Sequence, residues 1–249
     1  MTVRVSREEI AVGIPVVREV DSRNFSEVTE IEPRSRSERL QRFMNVIIAS
    51  LALILVSPVV LVFAALVRIT SPGPILYSQA RVGLDRRRSQ SGRRVYDRRS
   101  HDVGGRPFMI YKFRTMRVDA EAPNGAIWAT KGDPRVTRVG RVMRKYRVDE
   151  LPQLFNVLRG EMNIVGPRPE RPSIFSRMCD DIEEYPLRQR AKPGITGWAQ
   201  VNHNYDTSVD DVRKKVRYDL EYLQRQGTRE DLLIMARTLP VMIFNRGGW

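Results

Sequence analysis

From Phe43 to Val67, between Arg42 and Arg68, about 25 consecutive residues carry no charged side chain. As a helix, a stretch of that length suffices to cross a hydrocarbon core of roughly 30 Å. It does not read as a secretory signal, because it starts too far into the chain, runs too long and lacks a small-residue cleavage site. Two features speak against a straight crossing. Ser57 and Pro58 lie past its middle, where proline removes a backbone donor and kinks the helix, and a neighbouring hydroxyl can satisfy the freed carbonyl. Arginine is dense on both flanks, at Arg34, Arg36, Arg39 and Arg42 before the stretch and at Arg68, Arg81, Arg86, Arg87 and Arg88 after it. The positive-inside rule then places both flanks in the cytoplasm.

A re-entrant, broken membrane helix over residues 38–70 satisfies both features, with arms of roughly 15 and 10 residues reaching about 20 and 15 Å. An ordinary kinked transmembrane helix is the alternative. On this reading residues 1–37 are a mobile polar tail, and residues 71–249 form a domain on the cytoplasmic face. Within that domain the turn cluster Ser71-Pro72-Gly73-Pro74 leads into a strand over Ile75 to Val82. A second strand is expected over Phe108 to Met116 and a helix over Asp133 to Arg147. The arginine-rich stretch Asp85 to Arg106 has no apolar pattern and reads as a solvated loop. Ser208 with Asp211 and Thr228 with Asp231 are spaced as helix N-terminal caps. The apolar segment after Thr228, interrupted by Pro240, either packs in the core or docks at the bilayer interface. The expected fold class is α+β, predominantly helical with a small β-sheet, with the re-entrant helix and interfacial amphipathic helices as its membrane parts.

The formal charge of +14 calls for anionic partners, which admits nucleic acid, anionic lipid headgroups or phosphorylated substrates. One cysteine, Cys179, and two histidines, His101 and His203, exclude an internal disulfide framework and a Cys/His zinc site. Neither a Walker loop nor a G-x-G-x-x-G fingerprint occurs. Aromatic residues make up 8% of the chain, few for the base-stacking platforms of a nucleic-acid binder. Arg135, Arg138, Arg141, Arg144 and Arg147 recur every third residue. So much like charge on one helix side fits a phosphate-rich ligand or a lipid surface better than plain solvation.

That stripe runs into Asp149-Glu150, an acid pair that in isolation reads as an exposed helix start. After it come Leu151-Pro152-Gln153-Leu154-Phe155-Asn156-Val157-Leu158, Gly160-Glu161-Met162 and Gly166-Pro167-Arg168-Pro169-Glu170. Together with Lys112-Phe113-Arg114-Thr115-Met116 and the run Lys192 to Asn202, these blocks resemble the bacterial sugar transferase family, the small monotopic phosphoglycosyl transferases acting on polyprenol phosphate. The resemblance covers about residues 40 to 240, and Ser57-Pro58 matches the proline break of that family's re-entrant helix.

The resemblance implies a catalytic dyad at Asp149 and Glu150. In the implied reaction Asp149 attacks the sugar-bearing phosphate of a UDP-sugar and releases UMP, and polyprenol phosphate, undecaprenyl phosphate in bacteria, then takes the sugar phosphate. Magnesium is the expected cofactor, held by Glu150 and Asp149, with Glu150 serving the metal while Asp149 attacks. Lys112, Arg114, Arg141, Arg144, Arg168, Glu170 and Trp198 form the expected substrate- and phosphate-binding set. Arg168, between two prolines, is stiffly presented for bidentate contact, and Trp198 either presents its indole or packs. The chemistry is self-consistent. Both nucleophiles are anions near neutral pH, so the obstacle is repulsion from a diphosphate and cations are the remedy.

The expected setting is the cytoplasmic face of a bacterial inner membrane, in a monotopic chain that touches anionic phospholipid. Nucleic acid is not an expected partner, and oligomeric state stays open, a homo-oligomer included. Direct transfer without a covalent intermediate, and a non-catalytic basic membrane module, are the competing readings. The sugar is not legible, and the Asp85 to Arg106 loop is longer than the family pattern leads one to expect.

Overall fold

A computed structural model describes residues 31, 33–85, 104–118, 120, 133–203 and 208–243. Most of the expected N-terminal tail, and residues 86–103 of the basic loop, lie outside the described residues. The chain divides into Met1–Ile31 and Glu32–Trp249, and everything below concerns the second unit. Its helices are α1 Glu38–Thr70, α2 Arg138–Lys145, α3 Gln153–Arg159, α4 Pro172–Asp181, α5 Trp198–Asn202, α6 Val209–Arg225 and α7 Thr228–Ile243, with short helical turns at Val148–Glu150 and Tyr185–Arg190. Two small sheets complete the described fold. β1 Leu76–Val82 pairs antiparallel with β2 Pro107–Phe113, with Leu76 opposite Phe113 and Val82 opposite Pro107. β3 Asn163–Val165 pairs in parallel with β4 Gly194–Thr196. The predominantly helical α+β class is the observed one.

α1 is long and apolar enough to cross a membrane by length and composition. Ser37 caps its start, its side chain accepting from the Leu40 N–H. The helix continues through Pro58 instead of ending there. Ser57 Oγ donates to the Ile54 carbonyl at 2.8 Å, the acceptor left without its usual partner because proline at 58 has no N–H. One stripe of α1, repeating every three or four residues, is packed along the rest of the unit. Ala49, Ala52, Leu53 and Val56 meet Ile110, Leu154, Val157 and Met162. Further on, Val60, Phe63, Ala64 and Val67 meet Phe113 and Met143. The opposite stripe, with Phe43, Ile47, Leu51, Leu55, Val62, Leu66 and Ile69, is exposed.

Both ends of α1 are fastened to the same body. Arg42 donates to the carbonyls of Val157 and Leu158 in the last turn of α3, where helix carbonyls run short of intrahelical partners. Asn45, buried in the apolar stretch, accepts from the Ile164 N–H at 2.6 Å. At the far end Arg114 donates to the carbonyls of Ser71 and Pro72, at 2.7 Å for Ser71. The Pro-Gly-Pro turn wraps this guanidinium so closely that a Cβ on Gly73, at φ +110°, would lie 2.3 Å from it.

Asn156, fully buried on α3, closes the outer edge of β2. Its amide accepts from the Tyr111 N–H at 3.1 Å and donates to the Met109 carbonyl at 2.7 Å, satisfying backbone groups that β1 does not reach. Two expected elements come out differently. The helix expected over Asp133 to Arg147 is confined to Arg138–Lys145. Before it the Asp133 carboxylate grips Arg135 at 2.6 Å, Val136 bridges Met116, and Thr137 caps. After it Arg147 turns left-handed. Ser208 does cap α6, accepting from the Asp211 N–H. In contrast, α7 begins at Thr228 itself, Asp231 sends its side chain to Tyr222 at 2.7 Å, and the helix runs through Pro240 without interruption.

Candidate active site

Four elements converge on the Asp149-Glu150 pair. The turn that carries it follows α2 through Arg147, which adopts φ 54° and ψ 22° and is the one non-glycine residue with positive φ among those described. A left-handed arginine has a steric cost that glycine would avoid. Such strain persists where the surroundings over-determine it, and here it reverses the chain so that Val148–Glu150 folds back beneath α2. β2 presents Lys112 on the face opposite its buried neighbour Phe113. The Pro167-Arg168-Pro169 segment after β3 presents Arg168, and α2 presents Arg144.

Glu150 is buried, 7% exposed, and both of its oxygens are engaged. Oε1 accepts from Lys112 Nζ at 2.9 Å and Arg168 Nη2 at 2.6 Å. Oε2 has only longer contacts, with Arg168 Nη1 at 3.4 Å and Arg147 Nη1 at 3.6 Å. Burial alone would push this carboxyl up, but the charges of Arg168, Lys112 and Arg147 prevail and hold it well below the usual range. Asp149 is the reverse case. It takes no hydrogen bond or ion pair from any described residue. Burial, and then the adjacent Glu150 charge, push its carboxyl up to about 6, against the pull of Lys112, Arg144 and Arg168. Burial likewise pushes the Lys112 ammonium down, opposed by Glu150. Arg144 donates from Nε to Thr115 Oγ1 at 2.9 Å, which orients its guanidinium on the Asp149 side of the site.

The expected binding set therefore divides. Lys112, Arg144 and Arg168 gather around the dyad. Arg141 is exposed on α2. Arg114 is taken up by the end of α1. Glu170 sits in a second buried cluster, accepting from Lys215 at 2.8 Å. Trp198 is buried, donates from Nε1 to Glu221 at 2.8 Å, and lies against the guanidinium groups of Arg225 and Arg237 at 5.2 and 5.0 Å from its ring centre. Arg147 entered the sequence reading only as a member of the arginine stripe and Thr115 only inside a motif block, and neither was placed in the expected binding set. The three-residue spacing of Arg147 from Glu150 was the available signal, but it lay inside a stripe read as one regular helix.

No group of three or more His, Cys, Asp or Glu gathers among the described residues. The donor set nevertheless fits magnesium, which takes one or two carboxylates and completes its shell with water and substrate phosphates. Asp149 is unpaired among the described residues, and Glu150 Oε2 keeps acceptor capacity that Oε1 has spent.

The bacterial sugar transferase family model matches residues 36–245. The chain is 40% identical over 209 residues to the UDP-N-acetylgalactosamine-undecaprenyl-phosphate N-acetylgalactosaminephosphotransferase of Aeromonas hydrophila, covering 84% of this chain and 45% of that protein. It is 37% identical over 247 residues to the UDP-glucose:undecaprenyl-phosphate glucose-1-phosphate transferase of Escherichia coli, covering 98% of this chain and 47% of that one. The enzyme of the same name from Caulobacter vibrioides is 38% identical over 213 residues, with 85% of this chain and 72% of that protein aligned. The chain thus spans about half the length of the first two relatives.

Proposed function

The chain belongs to the bacterial sugar transferase family, and from that premise we propose that it transfers a sugar 1-phosphate from a UDP-sugar to undecaprenyl phosphate, with Asp149 as nucleophile. One observation carries the reading: of two adjacent carboxylates, the buried Glu150 is locked by Lys112 and Arg168, while the half-buried Asp149 is paired with none of the described residues. An unpaired carboxylate with its pKa near 6 is ionised at neutral pH, and no hydrogen bond has to be broken before it attacks.

In the proposed reaction an Asp149 oxygen forms a bond to the sugar-bearing phosphorus, and the bond from that phosphorus to the bridging oxygen breaks. UMP leaves with the electron pair. A phosphate oxygen of undecaprenyl phosphate then bonds to the same phosphorus, the aspartyl–phosphorus bond breaks, and Asp149 is restored as a carboxylate. No proton needs to move in either step. Arg144, Lys112 and Arg168 supply fixed positive charge where an anion must approach a diphosphate. Glu150, with Asp149, would hold magnesium, which when bound would supply further positive charge against the phosphates.

α1 supports a re-entrant anchor. A helix that carried its C-terminal end across a bilayer would separate its two ends by the hydrocarbon core, yet Arg42 and Ser71 are both bonded to the body that contains the dyad. With the exposed apolar stripe in lipid and the Arg-rich flanks at one surface, the enzyme sits monotopically on the cytoplasmic face, where UDP-sugars are found. The initiation of surface polysaccharide or glycoconjugate assembly is the matching role.

The test is UMP release from UDP-glucose, UDP-galactose and their N-acetylated forms by the full chain in detergent with undecaprenyl phosphate. Release from at least one donor, lost in Asp149→Asn, is the expected result. Normal turnover by Asp149→Asn sinks the assignment.

A further inference from the structure

Arg168 has two connections, and only one of them faces the dyad. Its guanidinium grips Glu150, and its backbone carbonyl accepts from Arg188 Nη2 at 3.1 Å. Arg188 is completely buried, with 0% exposure, and all sides of its guanidinium are engaged. Nε donates to Asp219 Oδ2 at 2.9 Å, Nη2 lies 2.6 Å from the same oxygen, Nη1 donates to Tyr185 Oη at 3.0 Å, and Glu170 Oε1 is 3.8 Å away. Glu170 is in turn held by Lys215.

The neighbouring carbonyls are fixed as well. Gly194 N donates to the Pro167 carbonyl at 3.0 Å, Arg81 Nη1 to that of Pro169 at 3.1 Å, and Val82 N to that of Glu170 at 2.9 Å. Four consecutive carbonyls are thus held, two of them by guanidinium groups that share Glu170 as counter-charge. A segment that only joined β3 to α4 would not require buried arginines on its backbone. Burying such a cation is costly unless it is paired, and a guanidinium can hold several acceptors in one plane where an ammonium cannot.

We propose that Arg188, braced by Asp219 and Glu170, is a positioning residue that fixes the Arg168 backbone and thereby the guanidinium that Arg168 sets on Glu150. The inference rests on the dyad reading above. Arg188 touches neither Asp149 nor Glu150 in the described contacts, and it acts only through Arg168. Glu170, the motif acid that sequence places in the substrate-binding set, belongs to this brace.

The experiment is a double-mutant cycle of Arg188→Lys and Arg168→Lys in the full chain, with kcat and KM read from UMP release. Arg188→Lys keeps the charge beside Asp219 and Glu170, while the three N–H groups of an ammonium radiate from one atom and do not reach the separated positions that Nε, Nη1 and Nη2 serve at Asp219, Tyr185 and the Arg168 carbonyl. Arg188→Lys is expected to lower kcat about 10- to 100-fold, with KM for the UDP-sugar changed less than about threefold. In the Arg168→Lys background the same change is expected to add less than about twofold. If the two losses multiply, or if Arg188→Lys leaves kcat intact, the positioning role is overturned. Should Arg188→Lys melt out, Arg188→Met together with Asp219→Leu removes both buried charges, and the same cycle is read with that pair. Asp149→Asn, assayed alongside, separates the two claims. Its normal turnover overturns the dyad reading itself, whereas its inactivity together with multiplying losses overturns the brace alone.

Discussion

Two buried charge clusters meet at Arg168, and they are balanced in opposite ways. Around the dyad, Glu150 is paired while Asp149 is bare, and Lys112, Arg144, Arg147 and Arg168 outnumber the two acids. In the second cluster, Glu170 and Asp219 are both paired, by Lys215, Arg188 and Arg81. Glu170 and Asp149 record the difference, although burial pushes Asp219 up against the pull of its partner Arg188. Burial opposes ionisation of Glu170, but Lys215 and Arg188 outweigh it and hold the group at about 2, whereas burial and Glu150 push Asp149 up to about 6. A closed cluster of this kind holds backbone in place. A cluster left with one bare carboxylate and surplus cations stores charge for an anionic ligand, at a cost in stability.

The sharpest way to break the comparison is to neutralise the bare acid. Asp149→Asn is expected to lower turnover by about a thousandfold or more, yet to raise the melting temperature at pH 7.5. The folded pKa of Asp149 lies above its unfolded value of about 4, so ionising it costs the folded state up to about 3 kcal/mol, a cost that grows from pH 4 to 6 and is constant above. The melting advantage of Asn should therefore vanish near pH 4. A wild type that melts higher than Asp149→Asn at pH 7.5 would contradict the unpaired state of this acid.

Removing divalent metal with a chelator is the next largest effect, and abolished UMP release restored by magnesium is expected, with the melting temperature nearly unchanged. Glu170→Gln probes the closed cluster, where it leaves buried cations without their counter-charge and should cost about 3–5 kcal/mol in unfolding titrations. The sign of its pH dependence is opposite to that of Asp149. The Glu170 pKa is depressed, so its stabilisation is present above about pH 4.5 and is lost as pH falls towards 2. Melting of the wild type should drop steeply over that window, and melting of Glu170→Gln should be flatter.

The smallest effect concerns the strained turn. Arg147→Gly relieves a positive φ and removes the guanidinium, including its long contact to Glu150. A stability change within about 1 kcal/mol with a measurable loss of kcat is expected, and unchanged kcat would show that the turn needs no arginine.

Short-range signals carried much of this into the sequence. The uncharged run of α1, the existence of a strand around Lys112 and the Ser208 cap were legible because each depends on neighbours within a turn or a pleat, although that strand ends at Phe113 and not at Met116. The family was legible because the motif blocks around Asp149-Glu150 occur together in one order. Pairings across long separations were not. Arg188 finds Asp219 across 31 positions and Lys215 finds Glu170 across 45, and nothing in the local spacing marks either pair. Arg114 and Trp198 look like ligand-facing residues in a motif, yet the chain closes on both. The arginine stripe was over-read for a different, local reason: the Asp133 grip on Arg135 and the left-handed Arg147 cut a regular period down to an eight-residue helix.

The central claim is that Asp149 itself carries the sugar phosphate between the two substrates. Incubating the full chain with its UDP-sugar and no lipid acceptor, followed by intact and peptide mass spectrometry, tests it most directly. The account predicts a phosphosugar adduct on the peptide that contains Asp149, formed together with an equal amount of UMP and discharged when undecaprenyl phosphate is added. An enzyme that turns over with both substrates present but forms neither adduct nor UMP without the acceptor would contradict it.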